Sequence, residues 1–204
     1  MEQKNHSNAV PENQSGDSVD AESVRNCADA EEANALFSRA KARLLNVNSW
    51  HEFAGDLLAH FTLMDKAGNQ VQGPAREGLF IRIDIPGPGT KAADGFDWVI
   101  VEEHKEEEQP DGVSSVALRV RPTADPTSAG EDTAHFYSRE STSTFTLSKN
   151  GLKVSAGVYD RNLAPNQESS TWFDKLRNAV IGFVGEKAFS AVQWKAFTDG
   201  ILAD

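Results

Sequence analysis

Strict alternation is the feature that most constrains this chain. In Glu77-Gly-Leu-Phe-Ile-Arg-Ile-Asp-Ile, the side chains Ile81, Ile83 and Ile85 take every second place, with Phe80, Arg82 and Asp84 between them. A period of two puts the isoleucines on one face of a strand and the charged pair on the other. The next run has Phe96, Trp98 and Ile100 on one face and Val99 and Val101 on the other, so both faces of that strand need cover. The intervening Pro86-Gly-Pro-Gly-Thr90 lacks the Gly-Lys-Ser/Thr ending of a phosphate loop, and its prolines remove backbone donors. It reads as a stiff hairpin connection.

The same grammar extends on both sides. Leu58–Met64 reads as a strand, and Lys105–Gly112 as a charged turn. Val116, Leu118 and Val120 alternate within 113–120, and Phe145 and Leu147 align within 135–148. Asn150-Gly151 is a strong hairpin signal, after which Leu152, Val154, Ala156 and Val158 return on alternate positions. The expectation is about six antiparallel strands in a meander, either a barrel or a strongly curled sheet.

Helical spacing flanks this core. Asp29 and Glu32 have capping-box spacing, and Ala33, Leu36, Phe37, Ala40, Leu44 and Val47 follow one helical face. Ser170 or Thr171 can cap a helix containing Trp172, Phe173, Leu176, Val180 and Phe183. Ala188, Phe189, Val192, Phe197 and Ile201, with Trp194 nearby, mark another. The chain is therefore expected to be α+β, with one N-terminal and two C-terminal helices. Residues 1–28, rich in Asn, Gln, Ser, Glu and Asp, are expected to be a disordered acidic arm. Residues 29–204 are then a single domain: a helical lead-in over 29–56, an antiparallel β core over 57–161 and C-terminal helices over 168–203.

Charge narrows the partners. The net charge is −11, of which residues 1–32 carry −6. An acidic balance repels a phosphate backbone and an anionic bilayer, so neither nucleic acid nor membrane is expected as a partner. Cys27 is the only cysteine, which excludes an intrachain disulfide and a cysteine-based metal cage. Met1 to Gly16 lacks the basic-then-apolar pattern of a secretory signal, and a cytoplasmic location is expected.

Two groups of residues are candidate sites. Arg82 with Asp84, Arg119 with Arg121, and Tyr159 with Arg161 each share a strand face; lining a barrel interior, they would hold a small acidic ligand through arginine. On an outer face they would be cross-strand ion pairs. Trp172, Phe173, Phe183 and Trp194 make the C-terminal region aromatic enough to contact a protein partner or a second copy. Glu102 and His104 alternate onto one face, but no further metal ligand accompanies them, and neither a metal nor a cofactor is expected. At least one of His51 and His60 is expected in the core at the helix–strand junction. No nucleophile elbow, zincin motif or dinucleotide fingerprint is present, so the chain leans away from enzymes.

A curled antiparallel sheet packed on a long C-terminal helix is similar in outline to the helix-grip architecture. The expected order departs from it, with a helix before all the strands instead of after the first, so no residue roles carry over. The leading functional expectation is a non-catalytic interaction or assembly module that contacts a protein partner or itself. The alternative is a β-barrel binding a small acidic or amphipathic ligand, with or without chemistry on it.

Overall fold

The computed structural model describes residues 8–54, 59–84, 96–128, 133–135, 137–164 and 186–204. Its elements are β1 (Asp17–Asn26), α1 (Ala30–Leu45), a 3-10 turn (Val47–Ser49), α2 (Trp50–Ala54), β2 (His60–Met64), β3 (Phe80–Asp84), β4 (Asp97–Glu108), β5 (Ser114–Pro122), β6 (Thr142–Asn150), β7 (Lys153–Leu163) and α3 (Glu186–Ile201). The seven strands form one antiparallel sheet in the order β1-β7-β6-β5-β4-β3-β2. It curls without closing, since β1 and β2 remain its two edges. The meander expected from alternation is present, with one strand more than expected.

That strand corrects the reading of residues 1–28. Asp17–Asn26 is not a disordered arm but a ten-residue edge strand, paired with β7 from Asp17 opposite Leu163 to Asn26 opposite Lys153. Its inward positions are the small side chains Val19, Ala21 and Ser23, too modest an apolar signal to stand out among acids. The free edge of β7 supplies a ladder that such a sequence accepts. The chain before it is also engaged: Asn162 Oδ1 accepts from the backbone N–H groups of Gln14 (2.8 Å) and Ser15 (3.1 Å), and Arg119 Nη1 donates to the Ala9 carbonyl at 2.9 Å. The folded unit thus reaches N-terminal of residue 29, and the helices follow the first strand, which is the helix-grip order.

α1 begins as its capping residues require. Asp29 Oδ1 accepts the Glu32 N–H at 2.9 Å, and Glu32 reaches back to the Ala28 N–H at 2.6 Å. It buries Ala33, Leu36, Ala40 and Leu44 against the sheet at β6 and β7. Asn46 ends it, and Asn48 ties the 3-10 turn to the sheet edge, accepting from Leu63 N–H at 2.9 Å and donating to Val71 O at 2.8 Å.

Helices cover one face of the sheet, the inner one. Phe61 and Leu63, Ile81, Val99 and Val101, Val116 and Leu118, Phe145 and Leu147, and Val154, Ala156 and Val158 supply its core side chains. Trp50 on α2, 1% exposed, is their hub. Its ring centroid lies 5.2 Å from Phe61, 4.6 Å from Phe145 and 5.0 Å from Phe197 on α3. α3 rests on β1 and β7 and meets α2, where Gly200 lets the backbones touch: a Cβ there would sit 2.0 Å from the Phe53 carbonyl oxygen.

Three local expectations change. The hairpin after β6 turns at Gly151-Leu152, with Gly151 at φ +59°, because Asn150 still pairs with Lys153. Lys105–Glu108 belongs to β4 and not to a turn, its charges engaged in pairs such as Lys105–Glu107 at 2.8 Å. Neither His51 nor His60 is buried; their ring centroids lie 5.2 Å apart with the planes tilted by 38°. Pro86–Thr90 and the expected helix beginning near Ser170 lie outside the described residues.

Candidate functional site

The arginine face lies on the side of the sheet turned away from the helices. β-strand alternation decides this, because Val116, Leu118 and Val120 point inward, which sends Arg119 and Arg121 outward. There Arg119 Nε and Arg121 Nε each meet Glu102 at 3.0 Å, and Arg119 also pairs with Glu103 at 3.0 Å. Burial alone would raise the Glu102 carboxyl, but Arg121 and Arg119 outweigh it and hold the group below the usual range. Tyr159 bonds Glu22, Arg161 pairs with Asp20, and the Arg82 guanidinium stacks 4.4 Å from the Phe96 ring centroid. Asp84 is exposed at the end of β3. These six side chains therefore do not converge on one interior site. Arg82, Arg119, Arg121, Tyr159 and Arg161 are each held by a neighbour on the outer face, and an interior anion site made of them is not formed.

A β-bulge between Val101 and Glu103 separates another expected pair. The extra residue puts Glu102 and Glu103 together on the outer face beside Arg119, while His104 falls opposite inward-pointing Leu118. Glu102 and His104 thus face opposite ways. Among the described residues, no group of three or more His, Cys, Asp or Glu side chains could hold a metal ion. An open groove beside α1, lined by Lys41, Leu45, Gln72 and Pro74, offers one charge, and Lys41 is already paired with Glu106.

The inner face carries a polar constellation that sequence reasoning missed. Val154, Ala156 and Val158 point inward along β7, and the next inward position is Asp160. Its side chain is 2% exposed. Oδ2 accepts a hydrogen bond from Trp194 Nε1 on α3 at 2.8 Å, whereas buried Oδ1 has no hydrogen-bond partner among the described residues. Ser143 stands directly opposite on β6, and its hydroxyl favours the charged carboxylate. Removal from water pushes the Asp160 carboxyl up to about 6, against the opposing pull of Ser143, Trp194 and Arg161.

Apolar surface frames this carboxylate. The Trp194 ring meets Phe145 at 5.4 Å and Phe197 at 6.2 Å, both edge-on. Trp194 is therefore half-buried, with its ring packed toward the core. Trp172, Phe173 and Phe183, expected to join it, lie outside the described residues. The arrangement is an acceptor set in an apolar wall, able to orient a hydrogen-bond donor or a cation. The signal that could have found it was the alternation already read in β7, carried two residues further.

Neither a known protein family nor any curated protein matches the chain. Solved structures resemble it remotely. Ginseng major latex-like protein 151 from Panax ginseng aligns over 87% of this chain and 97% of its own, with 9% identity and a TM-score of 0.39. A truncated norcoclaurine synthase from Thalictrum flavum covers 92% and 93%, with 9% identity and a TM-score of 0.37. Ara h 8.0201 covers 92% and 100%, at 11% identity and a TM-score of 0.34. No helix among the described residues is long and apolar enough to cross a membrane.

Proposed function

We propose that the protein binds a small amphipathic molecule between the inner face of its sheet and α3. One observation carries this reading: a carboxylate that is 2% exposed, set among aromatic side chains, with one oxygen lacking a partner. A buried acceptor left unsatisfied costs about 1–3 kcal/mol, more when charged, and an apolar side chain there would avoid the cost. A bound molecule with an apolar body and a donor group removes it instead. The acidic ligand considered from sequence loses its support, because the arginines that would have received it are paired on the outer face.

Native mass spectrometry of the gently purified full chain tests this. An added mass of a few hundred daltons that leaves on collisional activation supports a bound ligand. A ligand-free mass, joined by a failure of the neutral probe N-phenyl-1-naphthylamine to bind saturably, overturns it. A ligand-free mass at a multiple of 22.2 kDa would return the assembly module to first place.

A further inference from the structure

We propose that Asp160 makes the site selective for cationic amphipathic ligands, with a protonated amine seated against its free oxygen. The inference rests on the ligand-binding reading above and adds the chemical class of the ligand.

The charges around Asp160 carry it. Arg161, next along β7, points to the outer face, where its guanidinium pairs with Asp20 and bonds the Asp160 backbone carbonyl. On α3, Lys195 is turned toward Ser23 (3.0 Å) and pairs with Asp199. From β6 the facing group is the uncharged Ser143, and from β1 the nearby charge is Asp20, which is also negative. Among the described residues, the inner face therefore presents a carboxylate with the Trp194 N–H and the Ser143 hydroxyl as neutral neighbours and no ion pair of its own. A neutral donor would fill the hydrogen bond but leave the charge uncompensated, an anion would be repelled, and an ammonium group meets both needs. The molecular net charge of −11 acts in the same direction at longer range, concentrating cations at the surface.

The test uses three fluorescent probes of similar size on the full-length protein: dansylcadaverine, its N-acetylated neutral form, and anionic 1-anilinonaphthalene-8-sulfonate. The amine is expected to bind roughly ten- to hundred-fold tighter than its acetylated form, the range a charged hydrogen bond provides. Asp160→Asn is expected to abolish that preference. Equal binding of amine and acetylated probe to the wild-type protein overturns the inference and leaves the ligand-binding reading standing. Absence of saturable binding by all three overturns both. A pH series on the wild-type protein decides the matter even if Asp160→Asn fails to fold. Between pH 7.5 and 5 the amine's affinity should fall as the carboxyl protonates near 6, while that of the acetylated probe stays level. A level amine curve overturns the proposal.

Discussion

Asp160 shows how one side chain can work against the fold that contains it. Its carboxyl sits at about 6 in the folded chain against 3.8 as the reference, so the folded state holds the proton more tightly than the unfolded one. Its protonated form therefore favours folding; the penalty is complete above about pH 6 and fades as pH falls toward the reference value. Asp160→Asn keeps the shape and an acceptor for Trp194 Nε1. It should stabilise the ligand-free protein by on the order of 2–3 kcal/mol at pH 7.5 and by much less at pH 4, measured by urea unfolding at both. His135 acts in the opposite sense. Burial lowers its pKa from 6.5 to about 3, and its Nδ1 accepts the Tyr137 N–H at 2.9 Å. The ring should remain the neutral Nε2–H tautomer at pH 5, visible in its nitrogen chemical shifts, and stability contributed by keeping it neutral is lost as pH falls below about 6.5. Of these residues, Asp160 was legible in principle from the alternation in β7. The environment of His135 was not, because no period in the sequence says which loop covers it.

At the scale of elements, close backbone approach and small side chains carry information that hydropathy does not. α3 is locked in place from several directions. Ser23 on β1 bonds Thr198 at 2.8 Å and Asp199 at 2.6 Å, and Arg43 from α1 donates to the Ile201 carbonyl at 3.2 Å, near the helix end where the dipole favours a cation. Gly200 is the tightest of these contacts. Gly200→Ala brings a methyl group onto the Phe53 carbonyl and should destabilise by about 1–3 kcal/mol, despite the better helix propensity of alanine, with the loss read from the thermal midpoint. β1 illustrates the limit of pattern reading. An edge strand needs one lightly apolar face, and Val19, Ala21 and Ser23 provide just that within an acidic, polar stretch. The β4 bulge is a second case: one extra residue reversed the facing of everything after it, and nothing in Val101-Glu-Glu-His104 announces where the insertion falls.

Across the whole molecule, the sheet and α3 depend on each other through Trp50 and β1. Trp50→Ala removes the ring that joins Phe61, Phe145 and Phe197 and should cost about 3–5 kcal/mol, seen as a lower urea midpoint. Removing residues 1–26 strips the edge from β7 and the Ser23 contact from α3; the shortened chain should lose its near-UV circular dichroism while retaining strand signal in the far UV. Local chemistry alone determined the period-two strands over most of the central region, the capped first helix and the aromatic spacing of the last, because each follows from side chains a few residues apart. The tertiary structure decided which face of the sheet the helices cover, that a polar segment becomes β1, and that the arginines lie outside while Asp160 lies within. Those outcomes depend on strands distant in sequence competing for the same neighbours, and on a free edge of β7 that exists only once the sheet has formed.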